Sequence, residues 1–549
     1  MAALLHEKAV IMPFKKAIVF PCDRDNFQRV SYTWFTFKQL DEEIDRFARG
    51  LLKIGIKRGT RTVLMLKPSL EFFAVTFALF KIGAVVVFVD PGIGIPNLGK
   101  CLAEAQPEAF IGITKAHIAR VLFRWASETI KISVTLGPKL FWGGHKLEKL
   151  RIENAEPVPV ELFPPDEMGA IFFTSGSTGV SKGAVYTHGI LTSQVRFIQE
   201  TYNFTHDDID VATFPLFALF DVCLGMTCVV PDMDATKPAQ ADPVKLMEAI
   251  ENNAATVMFG SPALVNTLSR WGSKTGRKIV SVKKVISCGA PARNDVLERF
   301  HQMLPNDAEI FTPYGATEAL PVSSIGSREI LGETRKITSI GGGTCVGLPN
   351  EHVTVKIIKI TDDPIENWTE SLILKTGEIG EIAVKGPIVT REYYKRPEAT
   401  KLAKITDMDK TSIWHRMGDL GRFDEKGRLW FCGRKAHRVT TLKGALFTIP
   451  CEAIFNEHPK VFRTALVGVG NPGEQNPVIC VELESKNNSI DFSKIKAELL
   501  ELGAKFEHTK DIKTFLLHDA FPVDIRHNAK IGREKLAIWA TEQLKKTNN

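Results

Sequence analysis

The sequence predicts an α/β protein: a large N-terminal domain of doubly wound sheets carrying an antiparallel β subdomain, followed by a small α+β C-terminal domain. Three observations carry that expectation. Short apolar runs alternate with stretches of three-to-four spacing, the texture of parallel β-α-β units. Between about 340 and 432 the texture changes to short strands and glycine turns. After Gly433-Arg434-Lys435 a fresh compact pattern begins, and a boundary falls there, giving domains 1–433 and 434–549. A chain of 549 residues is too long for one core.

Taken in order, Tyr32 to Phe37 reads as a strand entering a helix marked by Leu40, Ile44, Phe47 and Leu51, which Gly55 ends. The pattern repeats as strand 63–66, helix 70–80, strand 84–89 and the turn Asp90-Pro91-Gly92. Further strands are expected at 109–113, 170–174, 211–214, 256–259 and 284–287. In a doubly wound fold, ligands then bind beyond the carboxyl ends of these strands. The subdomain holds strands at 353–358 and 377–386 and a hairpin over 422–432, turned by Asp424-Glu425-Lys426-Gly427. The C-terminal unit reads as helix 450–456, strands 463–469 and 478–483, and helix 490–502.

Composition excludes several classes. A net charge of +7, with lysines and arginines scattered among acids, suits an anionic substrate and leaves no nucleic-acid footprint. Nine cysteines without a CxxC pair support neither a disulfide framework nor a zinc site, which points to a reducing, cytoplasmic setting. Charged residues break the apolar N-terminus, so no signal peptide is expected. The most hydrophobic window, 72–89, is interrupted by Lys81 and Gly83 and reads as a buried helix plus strand rather than a membrane span.

Chemistry concentrates in Thr174-Ser175-Gly176-Ser177-Thr178-Gly179-Val180-Ser181-Lys182-Gly183. Glycines let backbone N–H groups point at phosphate oxygens, hydroxyls donate further bonds, and Lys182 adds a point charge. It is not a Walker A loop, because Ser181 stands where that motif needs glycine before its lysine. Further clusters are Gly289-Ala290-Pro291, Tyr314-Gly315-Ala316-Thr317-Glu318, Met417-Gly418-Asp419, Arg434 and the tail Asn528-Ala529-Lys530. Glu318, just after a small-residue turn, can hold Mg²⁺ through a hard oxygen ligand, and Asp419 can accept both hydroxyls of a ribose.

In this order and spacing, from about Ser31 to Leu536, the clusters resemble the adenylate-forming superfamily of acyl-CoA synthetases, adenylation domains and luciferases. The resemblance implies ATP and Mg²⁺ as cofactors. Thr174 to Gly179 with Lys182 would grip the ATP phosphates, Gly289, Ala290, Pro291, Tyr314 and Gly315 would frame adenine, and Thr317 and Glu318 would hold phosphate and metal. Asp419 and Arg434 would bind ribose. Lys530, on a mobile small domain, would bridge carboxylate and α-phosphate during adenylation.

Departures from the common pattern are Met417 before Gly-Asp, Asn528-Ala529 before the tail lysine, Ala436 at the usual pivot, and Ala218 where thioester-forming members commonly carry histidine. With these features the chain resembles the β-lactone synthetases of long-chain olefin biosynthesis. That implies adenylation of a long-chain 2-alkyl-3-hydroxy acid and attack by its own 3-hydroxyl, giving a β-lactone, AMP and pyrophosphate. The alternative is a medium- or long-chain acyl-CoA synthetase or acyl-AMP ligase. Ala218 fits a thiol-free site, a greasy wall for alkyl chains or a packed loop. Phe217, Ala218, Phe220, Phe259 and Leu320 are the candidate acyl pocket, and His188, His415 and His527 are candidate bases. Expected partners are the acid substrate and no nucleic acid. Peripheral membrane association and complexes with other olefin-pathway enzymes stay open.

Overall fold

The computed structural model describes residues 1–154, 156–173, 181–484, 491–523 and 531–547. Two sheets dominate. In the seven-stranded sheet Arg61–Met65 is central, flanked by Ala109–Ile113 and Val85–Val89, and the pairing is parallel until Met168–Phe173 meets Gly183–Thr187 antiparallel. The fourteen-stranded sheet contains a parallel run in which Ile209–Ala212, Val257–Phe259, Lys284–Ile286 and Glu309–Ala316 lie side by side.

The helices Phe37–Lys53, Leu70–Lys81 and His188–Tyr202 share one core cluster with strands of both sheets, so they form the layer between them. Local chemistry starts the first of these: Thr36 Oγ1 accepts from the Gln39 amide at 3.2 Å while Gln39 Oε1 accepts from the Thr36 amide at 2.9 Å, a capping box. Leu70–Lys81 is the expected buried helix. Phe72, Phe73, Phe77 and Phe80 are buried, each contributing about 1.5–3 kcal/mol of transfer free energy. Its buried Lys81 is paired with Asp45 at 2.7 Å, as a charge in an apolar layer requires. Among the described residues no helix is long and apolar enough to cross a membrane.

Three features differ from the sequence expectation. The N-terminus forms a helix, Ala2–Ile11, and a strand, Lys16–Arg24. The helix buries Leu5 and Ala9, and Met1 just before it, beside Val222 and Cys223 in the same core, a tertiary stripe too short to stand out in sequence. The strand expected to run to Phe214 stops at Ala212, and Pro215–Leu224 is a helix with proline in its first turn. Finally, the antiparallel subdomain is continuous with the large sheet: Ser323 and Ser324 pair with Pro349 and Leu348, joining Ala319–Gly326 to Thr344–Pro349.

The C-terminal region forms a small domain with strands. Val461–Val469, Asn476–Leu483 and Thr514–Leu517 make a three-stranded sheet. Two apolar clusters within residues 439–544 cover its two faces.

Candidate active site

The large sheet and the small domain enclose a cleft of about 1170 Å³. Its floor is the set of turns leaving the sheets. Gly289, Ala290 and Pro291 follow the strand Lys284–Ile286, and Gly289 adopts φ +100, a conformation that favours glycine. Thr317 and Glu318 form the turn between Glu309–Ala316 and Ala319–Gly326. Lys182 enters from the start of Gly183–Thr187. All of these, with Tyr314, Gly315, Leu320, Asp419 and Arg434, line the cleft. Thr174, Ser175, Gly176, Ser177, Thr178, Gly179 and Lys530 lie outside the described residues.

Asp419 and Arg434 face each other across the antiparallel pair Ile413–Phe423 and Leu429–Arg434. Arg434 Nη1 donates to Asp419 Oδ1 at 2.9 Å and Tyr314 Oη donates to Asp419 Oδ2 at 2.7 Å. Burial pushes the Asp419 carboxyl up, against the opposing pull of Arg434 and the Tyr314 hydrogen bond. The Asp419 charge in turn holds Arg434 above its ordinary range. Each carboxylate oxygen accepts one bond and keeps lone-pair capacity for a polyol.

Glu318 is half-buried. Its Oε1 accepts from Tyr393 Oη at 2.6 Å, and no second hydrogen bond reaches its carboxylate among the described residues. That leaves a hard oxygen donor facing the cleft, chemistry that fits Mg²⁺. Tyr186 Oη donates to the Thr317 carbonyl, and Gln194 Nε2 donates to the Leu320 carbonyl at 3.0 Å. The strand Gly183–Thr187, through Tyr186, and the helix that follows it, through Gln194, thus pin the chain on either side of Glu318.

The acyl-pocket candidates separate. Phe217 and Leu320 line the cleft, whereas Phe220 and Phe259 line a second cavity of about 20 Å³ that lies behind Phe217 and shares that ring with the cleft. Phe217 and Phe259 stack with centroids 4.3 Å apart. Ala218 is buried in the core and lines neither space.

Of the candidate bases, His188 stacks on Phe163 at 4.8 Å away from the cleft, and burial pushes its pKa down to about 4. His415 lines the cleft. Its Nδ1 meets the Ala403 carbonyl at 3.2 Å and must carry the hydrogen there. Burial, then the charges of Lys404, Lys182 and Arg434, hold its pKa well below the usual imidazole range. His527 lies outside the described residues. Sequence reasoning missed Tyr393 and the buried Lys404; a lone tyrosine or lysine carries no local signal, and both matter through contacts made across the fold.

This arrangement belongs to a known class. The chain is a member of the AMP-binding enzyme family, whose profile matches residues 9–394, and it is therefore an adenylate-forming ligase. It is 49% identical to the olefin β-lactone synthetase of Stenotrophomonas maltophilia over 517 residues, 93% of this chain and 92% of that one. It is 48% identical to the olefin β-lactone synthetase of Xanthomonas campestris pv. campestris over 550 residues, 99% of this chain and 97% of that one. Acyl-CoA ligases are more distant; the long-chain-fatty-acid–CoA ligase of Thermus thermophilus is 24% identical over 453 residues, 81% of this chain and 80% of that one. In fold it resembles the amide bond synthetase McbA of Marinactinospora thermotolerans, with TM-score 0.78 and 20% identity, covering 98% of this chain and 99% of that one. O-succinylbenzoate coenzyme A synthetase of Bacillus subtilis, solved with ATP and magnesium, superposes with TM-score 0.74 at 19% identity, covering 97% and 98%.

Proposed function

We propose that this enzyme adenylates a long-chain 2-alkyl-3-hydroxy acid and closes it to a β-lactone. The observation that carries this reading is near-full-length identity of 48 to 49% to two olefin β-lactone synthetases, on a chain whose cleft gathers Lys182, Glu318, Asp419 and Arg434.

In this reading Asp419 accepts the ribose hydroxyls and Arg434 fixes the carboxylate that does so. Tyr314 and Gly315 with Gly289, Ala290 and Pro291 frame adenine. Thr174 to Gly179 and Lys182 hold the phosphates. Thr317 and Glu318 hold the outer phosphate and Mg²⁺, which when bound neutralises charge on the transferring group. Lys530 draws the acid carboxylate to the α-phosphorus. A carboxylate oxygen attacks that phosphorus and pyrophosphate leaves with the bonding pair. The 3-hydroxyl oxygen then attacks the acyl carbon, its proton passes to solvent, and AMP departs as the ring closes. Because nucleophile and electrophile share one molecule, the second step needs no thiol. Phe217 and Leu320 form the wall against which the alkyl chains lie, and Phe217 separates them from the inner cavity.

We place the domain boundary between 433 and 434. Arg434 and Lys435 at that boundary still bond the large domain, through Asp419 at 2.9 Å and Glu381 at 3.1 Å, so the pivot we propose falls just past them, at the turn at Ala436. A cytoplasmic setting is supported by the buried free thiols of Cys101, Cys223, Cys228, Cys345, Cys432, Cys451 and Cys480.

The deciding experiment is mass spectrometry of the products from a 2-alkyl-3-hydroxy acid with ATP and Mg²⁺, with and without coenzyme A. Lactone and AMP should form at the same rate in both. Acyl-CoA as the sole product, formed only when coenzyme A is present, would overturn the lactone reading in favour of the acyl-CoA synthetase.

A further inference from the structure

The segment Gly386 to Arg396 belongs to none of the motifs above, yet it touches two of them. On one side it is sewn to the strand that follows Lys182: the Tyr394 amide donates to the Gly183 carbonyl at 2.7 Å, and the Val185 amide donates to the Glu392 carbonyl at 3.2 Å. On the other side it grips Glu318. The Thr390 amide donates to the Glu318 backbone carbonyl at 2.9 Å, and Tyr393 Oη donates to the Glu318 carboxylate at 2.6 Å. Thr390 is itself locked from behind by Lys404, which donates to the Thr390 carbonyl and to its Oγ1. Tyr393, Thr390 and Lys404 are all buried, so the brace is set in the protein rather than laid on its surface. The Tyr393 ring also receives an ammonium: Lys182 Nζ lies 5.0 Å from its centroid, within range of cation–π attraction.

We propose that Tyr393 is a positioning residue that sets the metal-binding carboxylate and the phosphate-binding lysine relative to each other, its hydroxyl holding Glu318 and its ring carrying Lys182. The idea rests on the assignment of Glu318 to Mg²⁺ and Lys182 to phosphate made above. One side chain thereby spans two groups that lie 136 residues apart in sequence, at 182 and 318. It orients the carboxylate so that the other oxygen faces the cleft, and it keeps the lysine extended toward the anion when no anion is there.

The two functions of the ring separate by substitution. Tyr393→Phe keeps the aromatic face and deletes the bond to Glu318. The Mg²⁺ concentration for half-maximal ATP–pyrophosphate exchange should rise about tenfold, the size of one hydrogen bond to a charged group. ATP affinity measured by calorimetry in EDTA should stay unchanged. Tyr393→Leu deletes both contacts, and its metal-free ATP affinity should fall about threefold, the low end of the range for a cation–π contact. Glu318→Gln serves as the reference. If Glu318→Gln leaves the Mg²⁺ titration unmoved, the metal assignment itself fails. If Glu318→Gln shifts the titration while Tyr393→Phe does not, the brace alone is overturned, and that comparison stands even if the leucine variant does not fold. Equal metal-free ATP affinity in a folded leucine variant would remove the role of the ring.

Discussion

At the scale of single residues, the site works by pairing groups that neither water nor the core would keep apart. Asp419 sits between a phenol and a guanidinium at 2.7 and 2.9 Å, so its carboxylate is oriented before any ligand arrives. Lys530 is the contrasting case, a lysine whose proposed duty is confined to one step. Lys530→Ala should lower ATP–pyrophosphate exchange about a hundredfold or more, the scale of a lost transition-state charge partner, while calorimetric ATP binding stays near wild type. Equal loss of binding and exchange would place the lysine in nucleotide capture instead. Much of this chemistry is legible in sequence because hydroxyl, glycine and lysine lie within one decapeptide. Tyr393 is not, since its value comes from Glu318 and Lys182, which only folding brings to it.

At the scale of elements, the helix Pro215–Leu224 shows how local reading and packing diverge. Its Asp221 is buried beside Asp210 on the neighbouring strand Ile209–Ala212, and among the described residues Asp221 Oδ2 has no hydrogen-bond partner. Burial first, with Asp208 adding a like charge, pushes Asp210 up to about 7. Burial and then the Asp210 charge hold Asp221 well above the ordinary carboxylate range. Carboxyls raised in the folded state keep protons that the unfolded chain releases above about pH 4. Their stabilising contribution is therefore greatest at acid pH; that of Asp210 is lost as pH rises through about 7, and that of Asp221 is lost on the alkaline side of the ordinary carboxylate range. Asp221→Asn removes the like-charge conflict while keeping the shape. Its melting temperature should exceed wild type by about 1 °C at pH 8, the shift about 1 kcal/mol makes in a domain of more than 400 residues, and by less at pH 5. A pH-independent difference in scanning calorimetry would refute this account of the raised carboxyls. Sequence pattern could not place this pair, because neither aspartate belongs to a motif and their conflict exists only once strand and helix pack.

At the scale of the whole molecule, the cleft lies between two bodies that each close their own core. The apolar clusters of the small domain draw solely on residues 439 to 544, while the main cluster of the large domain ends at Phe311. Residues 436–549 expressed alone should unfold cooperatively on heating in circular dichroism, and residues 1–435, which keep Arg434 beside Asp419, should bind ATP in calorimetry but fail in pyrophosphate exchange for want of Lys530. A small domain with no thermal transition, or a large domain that still adenylates, would refute the proposed boundary or the role of the tail lysine.

The sequence by itself determined the α/β class, the order of the alternating strands and helices, the run of motifs from Thr174 to Lys530 and the ligase chemistry they serve. All of these are written in residues close together, where hydrophobic period and local donor chemistry are sufficient. Tertiary structure alone decided that the β subdomain continues the large sheet through Ser323 and Ser324, that Ala218 is core while Phe217 is wall, and that Tyr393 and Thr390 brace Glu318. Each of these depends on which distant segments are neighbours, and packing, not local preference, chooses neighbours.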